Sequence, residues 1–122
     1  MSTESPVLAN YKPSAFYFRR AIRSARTNAT AHAAAQGVIL ELELLHAWIL
    51  ERHLFNPEIP DRRAELGRCK TLRKIKDCGL AAVADLERLK AGVRDLNLIP
   101  PKWRIRPEEA ADKGWGKVIP LA

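Results

Sequence analysis

Glu43 and His46 stand three residues apart, the spacing at which a helix sets a carboxylate and an imidazole on one inward face, as in four-helix di-iron sites. Such a site needs a second Glu-x-x-His and two further carboxylates at matching positions, which the sequence does not supply. His46 is therefore expected to be a core histidine capped by a neighbour. His32 and His53 have no Cys or Asp at metal-ligand spacing, and Cys69 and Cys78 lack the Cys-x-x-Cys pairing that zinc sites favour. Cys69 lies among cations, but no histidine is near in sequence to act as its base. No glycine-rich phosphate loop, nucleophile elbow or paired acid/base constellation occurs. The chain is expected to be neither an enzyme nor a cofactor carrier.

Phosphate binding is the chemistry that the residue types do favour. Residues 62–76 carry seven basic side chains (Arg62, Arg63, Arg68, Lys70, Arg73, Lys74 and Lys76) against Glu65 alone. Surface helices usually mix signs, whereas this excess is one-signed. Arg19, Arg20, Arg23 and Arg26 form a second basic flank on an earlier helix. Near the C-terminus Lys102, Trp103, Arg104 and Arg106, then Trp115 and Lys117, interleave aromatic with basic residues. Trp and Arg stack on bases, although Trp serves equally as an interface anchor. The expected nucleic-acid contacts are Arg19, Arg20, Arg23, Arg62, Arg63, Lys70, Arg73, Lys74, Lys76, Lys102, Arg104 and Arg106, with Trp103 and Trp115 reserved for a protein partner.

The elements that must hold these side chains are helices. After Pro13, Ser14 is placed to cap a helix over 14–36, whose stripe Ala15, Phe18, Ile22, Ala25, Ala29, His32 and Gln36 recurs at helical spacing. Gly37 suggests a break before a helix over 38–54 that is apolar on nearly every face, the element around which the others pack. Pro57 and Pro60 mark a connector at 56–61. A basic helix over 63–78, with Ala64, Leu72 and Ile75 on one face, is expected to end at Gly79 as a left-handed terminator. The last helix, 81–96, turns Leu80, Val83, Leu86, Leu89 and Val93 inward. On this pattern Cys69 and Cys78 share a helix about 13 Å apart, too far for a disulfide. The expected organisation is a flexible arm (1–13), one mainly α bundle of about four helices (14–99), and an extended tail (100–122), irregular or with a short β-hairpin.

The segment "KTLRKIKDCGLAAVADLERL" resembles the helix–turn–helix of the C-terminal domain of bacterial RNA polymerase alpha subunits, in which a basic helix ends at a glycine and an "xxVxDL" helix follows. The likeness covers about twenty residues and implies a helix-hairpin-helix contact with DNA, but that family's second glycine-led hairpin has no counterpart beyond Gly92. A conventional helix-turn-helix register built on Gly79 fails, because it sets Asp85 at an apolar position and Ile75 at a small one.

Composition bounds the rest. The chain has 122 residues, 47% of them hydrophobic and 29% charged, and a formal charge of +7, which suits one globular domain that attracts polyanions. Residues 1–13 lack the basic start and apolar core of a secretory signal. The apolar run 38–50 is interrupted by Glu41, Glu43 and His46 and reads as too short for a bilayer. Two expectations follow for a cytoplasmic protein with no membrane partner. One is a non-catalytic basic subunit contacting DNA or RNA backbone inside a nucleoprotein assembly. The other is a structural or adaptor protein, for example a phage or particle component, that binds proteins through its arms and tryptophans. Homo-oligomerisation is compatible with both.

Overall fold

The computed structural model describes residues 14–100. The arm at 1–13 and the tail from 101 onward, with Lys102, Trp103, Arg104, Arg106 and Trp115, lie outside the described residues. The described chain is mainly helical and has no strand among its residues: α1 (Ser14–Ser24), α2 (Asn28–Glu51), α3 (Arg62–Arg68) and α4 (Leu72–Asp95).

Hydroxyl and carboxylate caps set the helix starts. Thr27 opens α2 through a capping box: its Oγ1 accepts from the Thr30 amide at 3.1 Å, and Thr30 Oγ1 accepts from the Thr27 amide at 3.3 Å. Asp61 caps α3 by accepting from the Ala64 amide, and Thr71 caps α4 by accepting from the Lys74 amide. The helix over 14–36 is therefore cut at residues 25–27, and the helix over 63–78 at residues 69–71. Ser14 is not a cap; it is the first residue of α1, and its hydroxyl bonds across the bundle to Glu41 and Lys90.

Both long helices end in Schellman turns, whose left-handed residues are His53 (φ 55°) and Asn97 (φ 62°). Leu54 N–H donates to Ile49 and Leu98 N–H to Val93, the bonds that close such turns. Histidine and asparagine tolerate this conformation better than most side chains. The glycines expected at breaks sit instead inside helices. Gly37 is buried in α2 and Gly79 in α4. A Cβ on Gly79 would stand 2.8 Å from Ile22 Cδ1 and 3.2 Å from Ala35 Cβ, so glycine serves there to let three helices approach. Because α4 runs unbroken through Gly79, the glycine-ended hairpin of the RNA polymerase alpha resemblance does not form.

Contacts give the helix directions. Ser14 meets Lys90, Arg19 meets Glu87, and Ile22 lies over Gly79, so α1 runs antiparallel to α4. Ala35 packs near Gly79 while Glu41 reaches Lys90, which makes α2 parallel to α4 in the most extensive interface. α3 folds back along α4, with Arg62 against Asp85.

The buried core is built from the expected periodicity. Ala15, Phe18 and Ile22 come from α1 and Ala25 from the turn after it, and α2 supplies the largest set, including Val38, Ile39, Leu42, Leu45 and Ile49. Val83, Leu86, Leu89 and Val93 face inward from α4, whereas Leu80 is half-buried. The stripe expected beyond Ala25 ends there: Ala29 is exposed, and His32 and Gln36 are half-buried. On α3 it is Leu66, not Ala64, that is buried. Each such large apolar side chain contributes about 1.5–3 kcal/mol by leaving water. At 24 residues α2 is longer than the run 38–50 suggested, and by length and composition it is sufficient to cross a membrane; 56% of its most apolar window is buried by the other helices.

Candidate nucleic-acid interface

Tertiary structure divides the expected basic residues into two groups. Arg62 donates through Nε to Asp85 at 2.7 Å and through Nη1 to Glu65 at 2.8 Å. Its hydrogen bond to buried Asp85, outweighing its own desolvation, raises its pKa well above the ordinary guanidinium range. Arg63 grips Glu43 with two nitrogens, at 3.0 and 2.5 Å, and Arg19 pairs with Glu87 at 2.6 Å. The charges of these three arginines are met by carboxylates of the bundle itself.

The second group is outward and unpaired. Arg20, Arg23, Lys70, Arg73 and Lys74 are exposed and make no side-chain hydrogen bond or ion pair among the described residues, and the same holds for Arg26 and Arg68. Lys76 is half-buried and donates from Nζ to the Arg23 carbonyl at 3.0 Å. This bond closes the C-terminus of α1 with a cation, which the helix dipole favours, and it joins the two basic stretches. The turns at 25–27 and 69–71 lie at the same end of the bundle, because α1 and α3 run toward it and α2 and α4 run away from it.

Charge is concentrated at that end. Residues 23–26 and 68–77 hold seven basic side chains against Asp77 alone, whereas the rest of the described chain holds eight basic and nine acidic. The whole positive surplus of the described bundle is therefore carried by one end. The parallel helices α2 and α4 also begin there, adding two positive dipole ends. Arg26 and Arg68 belong to this surface. Their sequence signal was present in the arginine flank and in the one-signed basic run 62–76, but neither was among the expected contacts.

The remaining candidates for chemistry are dispersed. Glu43 is taken by Arg63, and His46 is half-buried with its Nε2 enclosed and without a hydrogen-bond partner, contrary to the capped histidine expected. Both line a cleft of about 320 Å³ with Ile39, Leu42, Ile59, Pro60, Asp61 and Arg62. Among the described residues no group of three or more His, Cys, Asp and Glu side chains is placed to hold a metal.

Two buried anions had no sequence motif. Asp85 is held by Arg62 and by Arg88 at 3.3 Å. Glu41, 1% exposed, is bonded by Ser14 and Lys90. A signal for Glu41 did exist, since an acid in a helix apolar on every face has no polar face to occupy.

The cysteines sit on different elements, Cys69 at the α3 C-cap and Cys78 within α4, and both are free thiols. Burial, more than the nearby Glu65 charge, pushes the Cys78 thiol up to about 12. Because its folded pKa lies above the unfolded value of 9.0, Cys78 favours folding below pH 9 and loses that contribution as the pH rises toward 12. At pH 8 a disulfide reagent is expected to titrate half-buried Cys69 in the native protein and Cys78 only after denaturation. Two fast native thiols would contradict this placement.

No family model, curated protein or solved structure matches the chain.

Proposed function

We propose that this protein is a non-catalytic basic helical subunit whose end formed by residues 23–26 and 68–77 contacts nucleic-acid backbone within a larger nucleoprotein assembly. The observation that carries this reading is the confinement of the described bundle's positive surplus to one end, on side chains that, Lys76 apart, are exposed and that no carboxylate among the described residues neutralises. Cations projecting from rigid helices each reach a phosphate, and none belongs to a recognisable base-reading motif, so sequence preference is expected to be weak. Lys102, Arg104 and Arg106 of the tail are proposed as further backbone contacts.

The opposite end favours a second reading. The large apolar side chains exposed among the described residues, Phe16, Tyr17, Leu50, Leu96, Leu98 and Ile99, belong to the far ends of α1, α2 and α4. An apolar surface of this kind suits protein contact. The adaptor reading therefore has its own structural support, with Trp103 and Trp115 as proposed anchors, and the two readings are compatible in one assembly component.

The test is the state of the purified protein, followed by a salt titration. Nucleic acid is expected to copurify, visible in the ultraviolet absorbance ratio, and to be released by high salt. With about five phosphates contacted, the logarithm of the affinity for duplex is expected to fall with a slope of about −4.5 against the logarithm of salt concentration. Absence of binding to DNA and RNA at low salt would leave the adaptor reading alone.

A further inference from the structure

We infer that the basic end is a surface for double-helical nucleic acid rather than for single strands, an inference that rests on the nucleic-acid function proposed above. Proteins that bind single strands combine a cationic groove with aromatic side chains on which bases stack, each stack contributing about 1–3 kcal/mol. Among the described residues this end carries no aromatic side chain. Residues 23–31 and 68–77 contain no Phe, Tyr or Trp. The described aromatic side chains are engaged elsewhere: Phe18 is in the core, Phe16 and Tyr17 meet edge to face, Trp48 lies beneath the Arg52 guanidinium, and Phe55 covers Gly92. The cleft lined by Glu43 and His46 lies between α2 and the connector into α3, away from the cationic turns.

What the basic end does offer is a set of point charges on firm supports. Lys70, Arg73 and Lys74 surround the Thr71 cap of α4, and Arg23 and Arg26 flank the Thr27 cap of α2. Packed helices lie about 8–10 Å apart, so the two dipole ends and their cations form one small patch. Such a patch gains only from phosphate density, which is highest on a duplex, at one charge per roughly 1.7 Å of axis. For about five contacts, the per-contact slopes of 0.9 on duplex and 0.7 on single strand amount to a preference of roughly tenfold at about 0.1 M salt.

The experiment titrates the full chain against fluorescently labelled DNA duplex, RNA duplex and each component strand of equal length, over a series of salt concentrations. Either duplex is expected to bind about tenfold more tightly than its strands and with the steeper salt slope. Equal or tighter binding to single strands overturns the duplex assignment while leaving nucleic-acid binding intact. Failure to bind any of these duplexes and strands overturns the proposed function itself.

Discussion

Replacing Lys70, Arg73 and Lys74 together by alanine is expected to lower affinity for duplex DNA by about 500-fold at 0.1 M salt, with little change in stability. Each phosphate contact adds about 0.9 to the logarithmic salt slope, so the loss of three contacts removes about 2.7 decades between 1 M and 0.1 M salt. The loss should be alike on all sequences, since backbone contacts carry no base information. Folding should tolerate the change because all three side chains are exposed and unpaired among the described residues, and the Thr71 cap binds the Lys74 backbone, not its side chain. Arg94, exposed at the far end of α4, provides the control, and Arg94→Ala should bind as the wild type does. A triple variant with wild-type affinity, or an Arg94→Ala variant equally weakened, would place the interface elsewhere.

The largest effect on stability is expected at Lys90. Its ammonium stands 3.2 Å from Glu41 Oε2 and 2.9 Å from Ser14 Oγ, while Glu41 Oε1 is buried without a partner. Lys90→Met keeps the aliphatic stem but leaves the carboxylate in the core with only the Ser14 hydroxyl. Removing one partner of a buried ion pair costs about 3–5 kcal/mol, which for a domain of this size lowers the Tm by more than roughly 10 °C. Removing both charges, as in Glu41→Leu with Lys90→Met, should recover most of that loss, because no uncompensated charge is then buried. Urea denaturation of the two variants is the measurement. A single variant as stable as wild type would mean that Glu41 is solvated in solution rather than sealed in the bundle.

Much of the architecture was legible because it is written in local periodicity. The all-round apolarity of residues 38–50 marked the central helix. The recurrence of Ala15, Phe18 and Ile22, and of Val83, Leu86, Leu89 and Val93, named inward faces that the fold buries. A 3.6-residue period needs no knowledge of what lies opposite. The two one-signed basic stretches were equally visible, since charge is read directly from residue type.

Helix boundaries and the fate of individual charges were not legible in the same way. Gly37 and Gly79 look like terminators in sequence, but Gly79 serves the approach of Ile22 and Ala35, and only the neighbouring helices reveal that use. The working signals were Thr27 and Thr71 at the starts and His53 and Asn97 at the ends, residues whose polar side chains also suit many other places. Arg19, Arg62 and Arg63 read as available cations, yet Glu87, Asp85 and Glu43, which pair with them in turn, lie 68, 23 and 20 residues away in the chain. Sequence by itself determined that this protein is a basic helical bundle, because helix period and net charge are properties of neighbouring residues and of their sum. Tertiary structure alone decided which cations stay uncompensated and that they share one end, because pairing depends on distances that only packing brings below a few ångströms.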